Sequence, residues 1–133
     1  MYKLKVQHFF DASHQLPDTP LLVSKGCARL HGHSYYVIVE LSLNKLNNAG
    51  MIIDFKAVKD VIDILDHRHV NDVFKEQKFD MPSTAENIAY FIASQIQKQL
   101  NFTDMTVSVC EGYKGRERSS WVVYTTGKEL QCN

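Results

Sequence analysis

Within seven residues, Cys27-Ala28-Arg29-Leu30-His31-Gly32-His33, the chain sets one thiol and two imidazoles just ahead of a strand-like run. If His31 and His33 begin that strand, the two-residue side-chain repeat turns both rings to one face. Gly32 between them leaves space for whatever they bind. Two imidazoles converging from one strand are half of a metal site, and a nearby thiol points to chemistry rather than architecture.

The first stretch of the chain can supply the rest. Tyr2, Leu4, Val6, His8, Phe10, Ala12 and His14 share one face of an alternating run, opposite Lys3, Lys5, Gln7 and Asp11, with Phe9 the apolar exception. This is the pattern of a half-buried strand that ends at His14. If it lies antiparallel to the strand that follows, His14 comes to rest beside His31 and His33. Three neutral imidazoles without a carboxylate is a set that zinc uses when its fourth position stays open to water or substrate. The plainer alternative is a scatter of partly buried histidines. His8 lies about 20 Å along the strand from His14 and reads as a core or interface side chain. His69 reads as a solvated residue just past a helix.

Three roles are open to Cys27. It could be an inert buried thiol, a fourth ligand closing a structural zinc site, or a base or nucleophile. A dication and basic groups nearby favour the thiolate form that the last role needs.

The elements that position these residues follow from the apolar spacing. Pro17, Pro20 and Gly26 mark residues 15 to 30 as a long loop, a length usually reserved for function or disorder. A second strand runs from His33 to Leu43, and Asn47-Asn48-Ala49-Gly50 is a turn. Asp54 is the N-cap of a helix whose stripe is Phe55, Val58, Val61, Ile62 and Leu65, ending near Asp66-His67-Arg68-His69. Ser83 and Glu86 form a capping-box pattern ahead of a second helix with Ala85, Ile88, Ala89, Ile92, Ile96 and Leu100 inward. Strands around Thr106 to Glu111 and Ser119 to Thr126 flank a loop that carries Lys114, Arg116 and Arg118. The order is ββααββ, an α+β class with a four-stranded antiparallel sheet and two helices on one face. Four strands cannot close a barrel, so edge pairing between copies is expected.

Composition sets the bounds. The chain has 133 residues, most simply one domain spanning 1–133. Lys+Arg and Asp+Glu balance at 15 each, which gives no electrostatic argument for nucleic acid or a membrane surface. The apolar runs are too short to span a bilayer, and the first residues lack a signal-peptide apolar segment. Three cysteines, Cys27, Cys110 and Cys132, argue against a disulfide framework and for a reducing, cytoplasmic setting. Cys132 reads as a frayed-terminus thiol.

Five motifs carry a resemblance: Phe10-Asp11-Ala12-Ser13-His14 (FxAxH), Cys27 to His33 (CxxxHGH), Gly50 to Phe55 (GMxxDF), Leu65-Asp66-His67 to Asn71 (LDHxxxN) and Thr84 to Asn87 (TAEN). Together, in this order, they resemble the 6-pyruvoyl- and 6-carboxy-tetrahydropterin synthase family. The resemblance implies the tunnelling fold (T-fold), with trimers closing a twelve-stranded barrel and two trimers stacking into a homohexamer. It implies 7,8-dihydroneopterin triphosphate as the small-molecule substrate and zinc as the cofactor, with His14, His31 and His33 as ligands.

It further implies that Cys27 is the base and His67, held by Asp66, the partner acid/base. Glu111 would grip the guanidine-like edge of the pterin, and Thr84, with Ser83, would contact the pterin from a neighbouring subunit. On the residues alone, Asp66-His67 reads equally as a polar helix cap, Glu111 as a strand-end acid, and Ser83-Thr84 as a helix cap. Lys114, Arg116 and Arg118 could meet the triphosphate or form a solvated charge run. Glu111-Gly112 departs from the Glu-Thr common in bacterial relatives. The wording of CxxxHGH and of Leu65 to Asp72 is closer to the carboxy-forming branch of queuosine and deazapurine synthesis. The pyruvoyl-forming reaction and a non-catalytic zinc-stabilised module are the alternatives.

Overall fold

The computed structural model describes residues 1–115 and 118–127. Arg116 of the basic loop and the terminal Cys132 lie outside the described residues.

The alternation read from the first run holds: β1 spans Tyr2–His14, and Leu4, Val6, Phe10, Ala12 and His14 are all buried. β2 spans His31–Leu43 and pairs antiparallel with β1 along its whole length, from Tyr2 opposite Leu43 to His14 opposite His31. The strand therefore begins two residues earlier than expected and takes in both histidines of the HxH pair. Helix α1 covers Phe55–Ile62 and is capped by the Asp54 carboxylate, which accepts from the Lys56 N–H at 2.8 Å. It is shorter than the apolar stripe implies, giving way to a 3-10 turn at Asp63–Leu65. Phe55, assigned to the buried stripe, is 59% exposed.

Two small elements follow that periodicity does not reveal. β3 is the residue pair Arg68–His69, parallel to the end of β1, with Ala12 opposite Arg68 and Ser13 opposite His69. Helix α2, Val70–Glu76, buries Val70, Val73 and Phe74. Two residues of strand and seven of helix are too short for a period to stand out. Helix α3 spans Ala85–Leu100 and buries Ile88, Ala89, Ile92 and Ile96, as its spacing requires. Its N-cap is Thr84, not Ser83, with the hydroxyl oxygen accepting from the Asn87 N–H. The long helix ends at Asn101, whose left-handed φ of 61° is a helix-terminating conformation asparagine tolerates.

β4, Met105–Glu111, and β5, Trp121–Thr125, complete a five-stranded sheet in the order β3-β1-β2-β4-β5. The expected α+β fold is present, with four antiparallel strands extended by one short parallel one. Tyr35, Val37, Val39 and Leu41 of β2 lie under the helices beside Val107 and Val109 of β4. On the opposite face, Phe9, Tyr36, Tyr113 and Trp121 form a partly exposed aromatic row. That row accounts for Phe9, which breaks the polar alternation because its neighbours across the sheet are aromatic too.

The core depends on α3 lying on the sheet. Ile92→Ala should lower unfolding free energy by about 2–5 kcal/mol in urea titrations. Leu21→Ala, at a side chain 92% exposed in the long loop, should shift it by no more than about 0.5 kcal/mol.

Candidate active site

Register decides where the histidines meet. His14 faces His31 on the last rung of the β1–β2 pair, and His33 faces Ala12 two residues in. All three rings therefore sit on the helix-covered face, packed edge to face with centroids 4.5 to 5.2 Å apart. Each offers a ring nitrogen, and these nitrogens all lie within 4.8 Å of one another.

The tautomers are held from behind. His14 Nδ1–H donates to the Ser83 carbonyl at 2.7 Å, and His31 Nδ1–H donates to the Arg29 carbonyl at 2.7 Å. A neutral imidazole has one N–H, so both Nε2 atoms are left as bare lone pairs. They face each other at 2.9 Å. Two lone pairs at that separation repel unless positive charge lies between them. Among the described residues the buried Nε2 of His33 has no hydrogen-bond partner. A cation held by the three nitrogens answers both the repulsion and the orphaned acceptor, so the donor set fits a metal ion.

Glu111 ends β4 beside Tyr35, on the same face. Its carboxylate oxygens stand 3.9 Å from His14 Nε2 and 3.7 Å from His33 Nε2. Burial pushes the Glu111 carboxyl above its ordinary value, the His31 ring pulls it down and Glu86 pushes it up again. Gly112 then turns the chain at a left-handed φ of 71°, with its N–H on the Ser34 carbonyl. The departure from Glu-Thr is thus a backbone conformation that glycine adopts without strain. Tyr35, wholly buried under the histidines, stacks on Phe10 at 4.8 Å, and burial raises its phenol far above the usual range.

Cys27 sits in a 3-10 turn, Lys25–Ala28, half-buried within the long loop. That loop is folded back on the end of β1. The Leu16 N–H donates to the Cys27 carbonyl at 2.9 Å, and the Gln15 side chain donates to the Ala28 carbonyl at 2.8 Å. The turn is thereby tied to the chain leaving His14, yet the thiol is not one of the groups converging with the three nitrogens.

Asp66 and His67 form a pair at 2.8 Å, but they belong to a different corner. Asp66 accepts from the Asp11 N–H and His67 N–H donates to the Asp11 carbonyl, so the pair is stitched to the outer edge of β1. The Asp66 carboxylate raises the His67 imidazole above its ordinary value, and the Asp11 N–H together with His67 lowers Asp66. His67 is held at a left-handed φ of 57° and its side chain is 81% exposed. Strain of this kind at a non-glycine residue is often found at functional positions. Among the described residues no hydrogen bond or ion pair links it to Cys27 or to the three histidines.

Of the remaining histidines, one differs from the reading of the spacing. His69 is not a solvated residue past a helix: it lies in β3, partly buried, with Nδ1 bonded to the Ser13 hydroxyl at 2.9 Å. His8, well away from the cluster, pairs with Asp63 at 2.8 Å. Ser83 and Asn71 are the supporting residues whose contacts the spacing does not disclose. Both lie within or beside quoted motifs, but nothing in their spacing shows that they back His14.

Burial draws His14 from 6.5 down to about 4, opposed by the bond to Ser83 and reinforced by His31 and His33; burial also lowers His33. Between those two values the unfolded chain binds a proton that the folded chain does not. Stability of the metal-free chain should therefore be complete above pH 6.5 and fall as pH drops towards about 4, by up to about 3 kcal/mol from His14. Urea midpoints with a chelator present, compared at about pH 7 and about pH 4.5, check the direction.

Comparison with known proteins agrees with this geometry. The family profile described as 6-pyruvoyl tetrahydropterin synthase matches residues 3–126. A 6-carboxy-5,6,7,8-tetrahydropterin synthase of Synechocystis is 29% identical over 103 residues, 74% of this chain and 77% of that one. A protein of Pyrococcus horikoshii is 44% identical over 59 residues, which is 44% of this chain and only 35% of that one. The solved 6-pyruvoyl tetrahydropterin synthase of Caenorhabditis elegans superposes with a TM-score of 0.66 over 95% of this chain and 96% of that one, at 20% identity, a likeness of fold. With its profile match over nearly the whole length and the fold to go with it, the chain belongs to the 6-pyruvoyl tetrahydropterin synthase family.

Proposed function

We propose that the chain is a 6-carboxy-5,6,7,8-tetrahydropterin synthase, converting 7,8-dihydroneopterin triphosphate to 6-carboxytetrahydropterin, acetaldehyde and triphosphate in queuosine and deazapurine synthesis. The observation that carries the reading is the convergence of three ring nitrogens and one carboxylate at the end of the sheet. The Synechocystis relative's name favours the carboxy-forming branch over the pyruvoyl-forming one.

His14, His31 and His33 would hold zinc, which as a Lewis acid would polarise side-chain hydroxyls of the substrate. The His14 and His31 ring nitrogens stand 2.9 Å apart and all three lie within 4.8 Å of one another, near enough to share one ion. Glu111 accepts paired hydrogen bonds from the guanidine-like edge of the pterin. Donors on that edge offset the desolvation that raises its carboxyl. Thr84 caps α3 through its hydroxyl oxygen and retains the hydroxyl hydrogen to donate to the pterin.

Cys27 removes the side-chain proton as thiolate, and His67, charged more readily because of Asp66, returns or accepts a proton as its partner. In one chain the Asp66–His67 pair opens to solvent, which suits delivery to the site of an adjacent copy in a homohexamer. Lys114 and Arg118, both exposed, would either meet the triphosphate or form a solvated charge run. No helix among the described residues is long and apolar enough to cross a membrane, consistent with a cytoplasmic enzyme.

Incubation of zinc-loaded protein with 7,8-dihydroneopterin triphosphate tests the reading. Acetaldehyde and 6-carboxytetrahydropterin are the expected products; a 6-pyruvoyl product would move the chain to the other branch, and no turnover would leave a binding module. Cys27→Ala should keep stoichiometric zinc while turnover falls by about 10²–10⁴-fold, the contribution of a positioned base. Loss of zinc from that variant would instead make Cys27 a ligand.

A further inference from the structure

We propose that Asn71 and Ser83 are positioning residues that lock His14 in its metal-binding orientation, through a hydrogen-bonded latch joining the end of β1, the start of α2 and the entry to α3. The proposal rests on the reading of His14, His31 and His33 as zinc ligands.

The latch is continuous. Beyond His14 the chain leaves the sheet, so the N–H and carbonyl of Gln15 have no ladder partner. The Asn71 side chain takes that place: its Oδ1 accepts from the Gln15 N–H at 3.0 Å and its Nδ2 donates to the Gln15 carbonyl at 2.9 Å. The same Oδ1 also accepts from the Ser83 hydroxyl at 2.9 Å, and that hydroxyl lies 3.3 Å from the Gln15 carbonyl. Ser83 is wholly buried, and its carbonyl receives the Nδ1–H of His14. One amide thus grips the backbone on one side of His14 and the residue whose carbonyl orients its ring on the other.

The consequence for metal binding is specific. The Ser83 carbonyl selects the tautomer with a bare Nε2, and a carbonyl free to swing would let the ring rotate or take its proton on Nε2. Ser83 is therefore not the helix cap; Thr84 serves that role, leaving the Ser83 hydroxyl free for Asn71. Asn71 closes the LDHxxxN motif. Its spacing from Asp66 and His67 follows from β3, which runs along β1 and delivers the first turn of α2 to Gln15.

Zinc affinity, read by competition with a chromophoric chelator, is the test. The unaltered chain should bind one zinc, with Asn71→Ala and Ser83→Ala each weakening it by about 10–100-fold, the usual effect of removing an outer-sphere partner. Asn71→Asp keeps the acceptor for the Gln15 N–H and the Ser83 hydroxyl but sets a carboxylate oxygen against the Gln15 carbonyl, so it should recover only part of that loss. It also supplies the comparison, with Ser83→Ala, if Asn71→Ala does not fold. Cobalt-loaded Ser83→Ala should show altered d–d bands, which a general loss of stability would not produce. Leu41→Val is the control: its side chain is buried ten residues along β2 from His31, about 33 Å away, and should lower the melting temperature without moving zinc affinity. Unchanged affinity in folded Asn71→Ala and Ser83→Ala would overturn the latch and leave the metal reading standing. Equal weakening by Leu41→Val would reduce the effect to stability and overturn the latch too. Failure of the unaltered chain to bind zinc would remove both readings.

Discussion

Antiparallel pairing of β1 with β2 over their whole length is the constraint on which the rest of the site depends. Every rung from Tyr2–Leu43 onward sets the next, and the last one brings His14 to His31. Because side chains alternate, a slip of one residue would turn one strand's histidines to the outer face and bring its polar residues into the core. The buried rungs therefore protect the metal-binding geometry as well as the fold. Phe10 stacked on Tyr35, with both rings wholly buried, is the nearest and heaviest of these anchors.

What this pairing creates is electrostatically costly without a cation. Three imidazoles are drawn together, and burial disfavours protonation of two of them, His14 and His33. Backbone carbonyls commit the Nδ1 protons of His14 and His31 elsewhere, so bare nitrogens confront each other. The same low-dielectric surroundings hold Glu111 above its ordinary value at less than 4 Å from two of the rings. A site so arranged has strong affinity for positive charge, whether a metal ion at the histidines or hydrogen-bond donors at the carboxylate.

The loops then distribute the reactive groups around this fixed centre. The Cys27 turn is tied to the exit of β1 by the Leu16 and Gln15 hydrogen bonds. Asp66 and His67 are tied to Asp11, on the outer edge of the same strand. One strand end thus anchors both the Cys27 turn and the Asp66–His67 pair. Among the described residues no hydrogen bond or ion pair joins the two.

Much of this was legible from the residues alone. The two-residue repeat in β1 and β2 set the shared face of His14, His31 and His33, and the helical stripe of α3 predicted its buried side. These features are local, so a period carries them. Phe55, read as buried, proved exposed, since periodicity marks a face but not which of its residues meets a packing partner. β3 and α2 were missed because two and seven residues cannot establish a period, and His69 changed role with them. Ser83 looked like a cap and Asn71 like one letter of a motif. Only tertiary structure, by bringing residues 68 and 56 positions apart in sequence to Gln15, made them the partners of His14. Side-chain types and spacing determined which groups could bind a metal, and the resemblance of the motifs, not their spacing, brought in the pterin. The packing of distant segments decided which nitrogen each ring presents, since a tautomer is set by a hydrogen-bond partner that strand spacing does not specify.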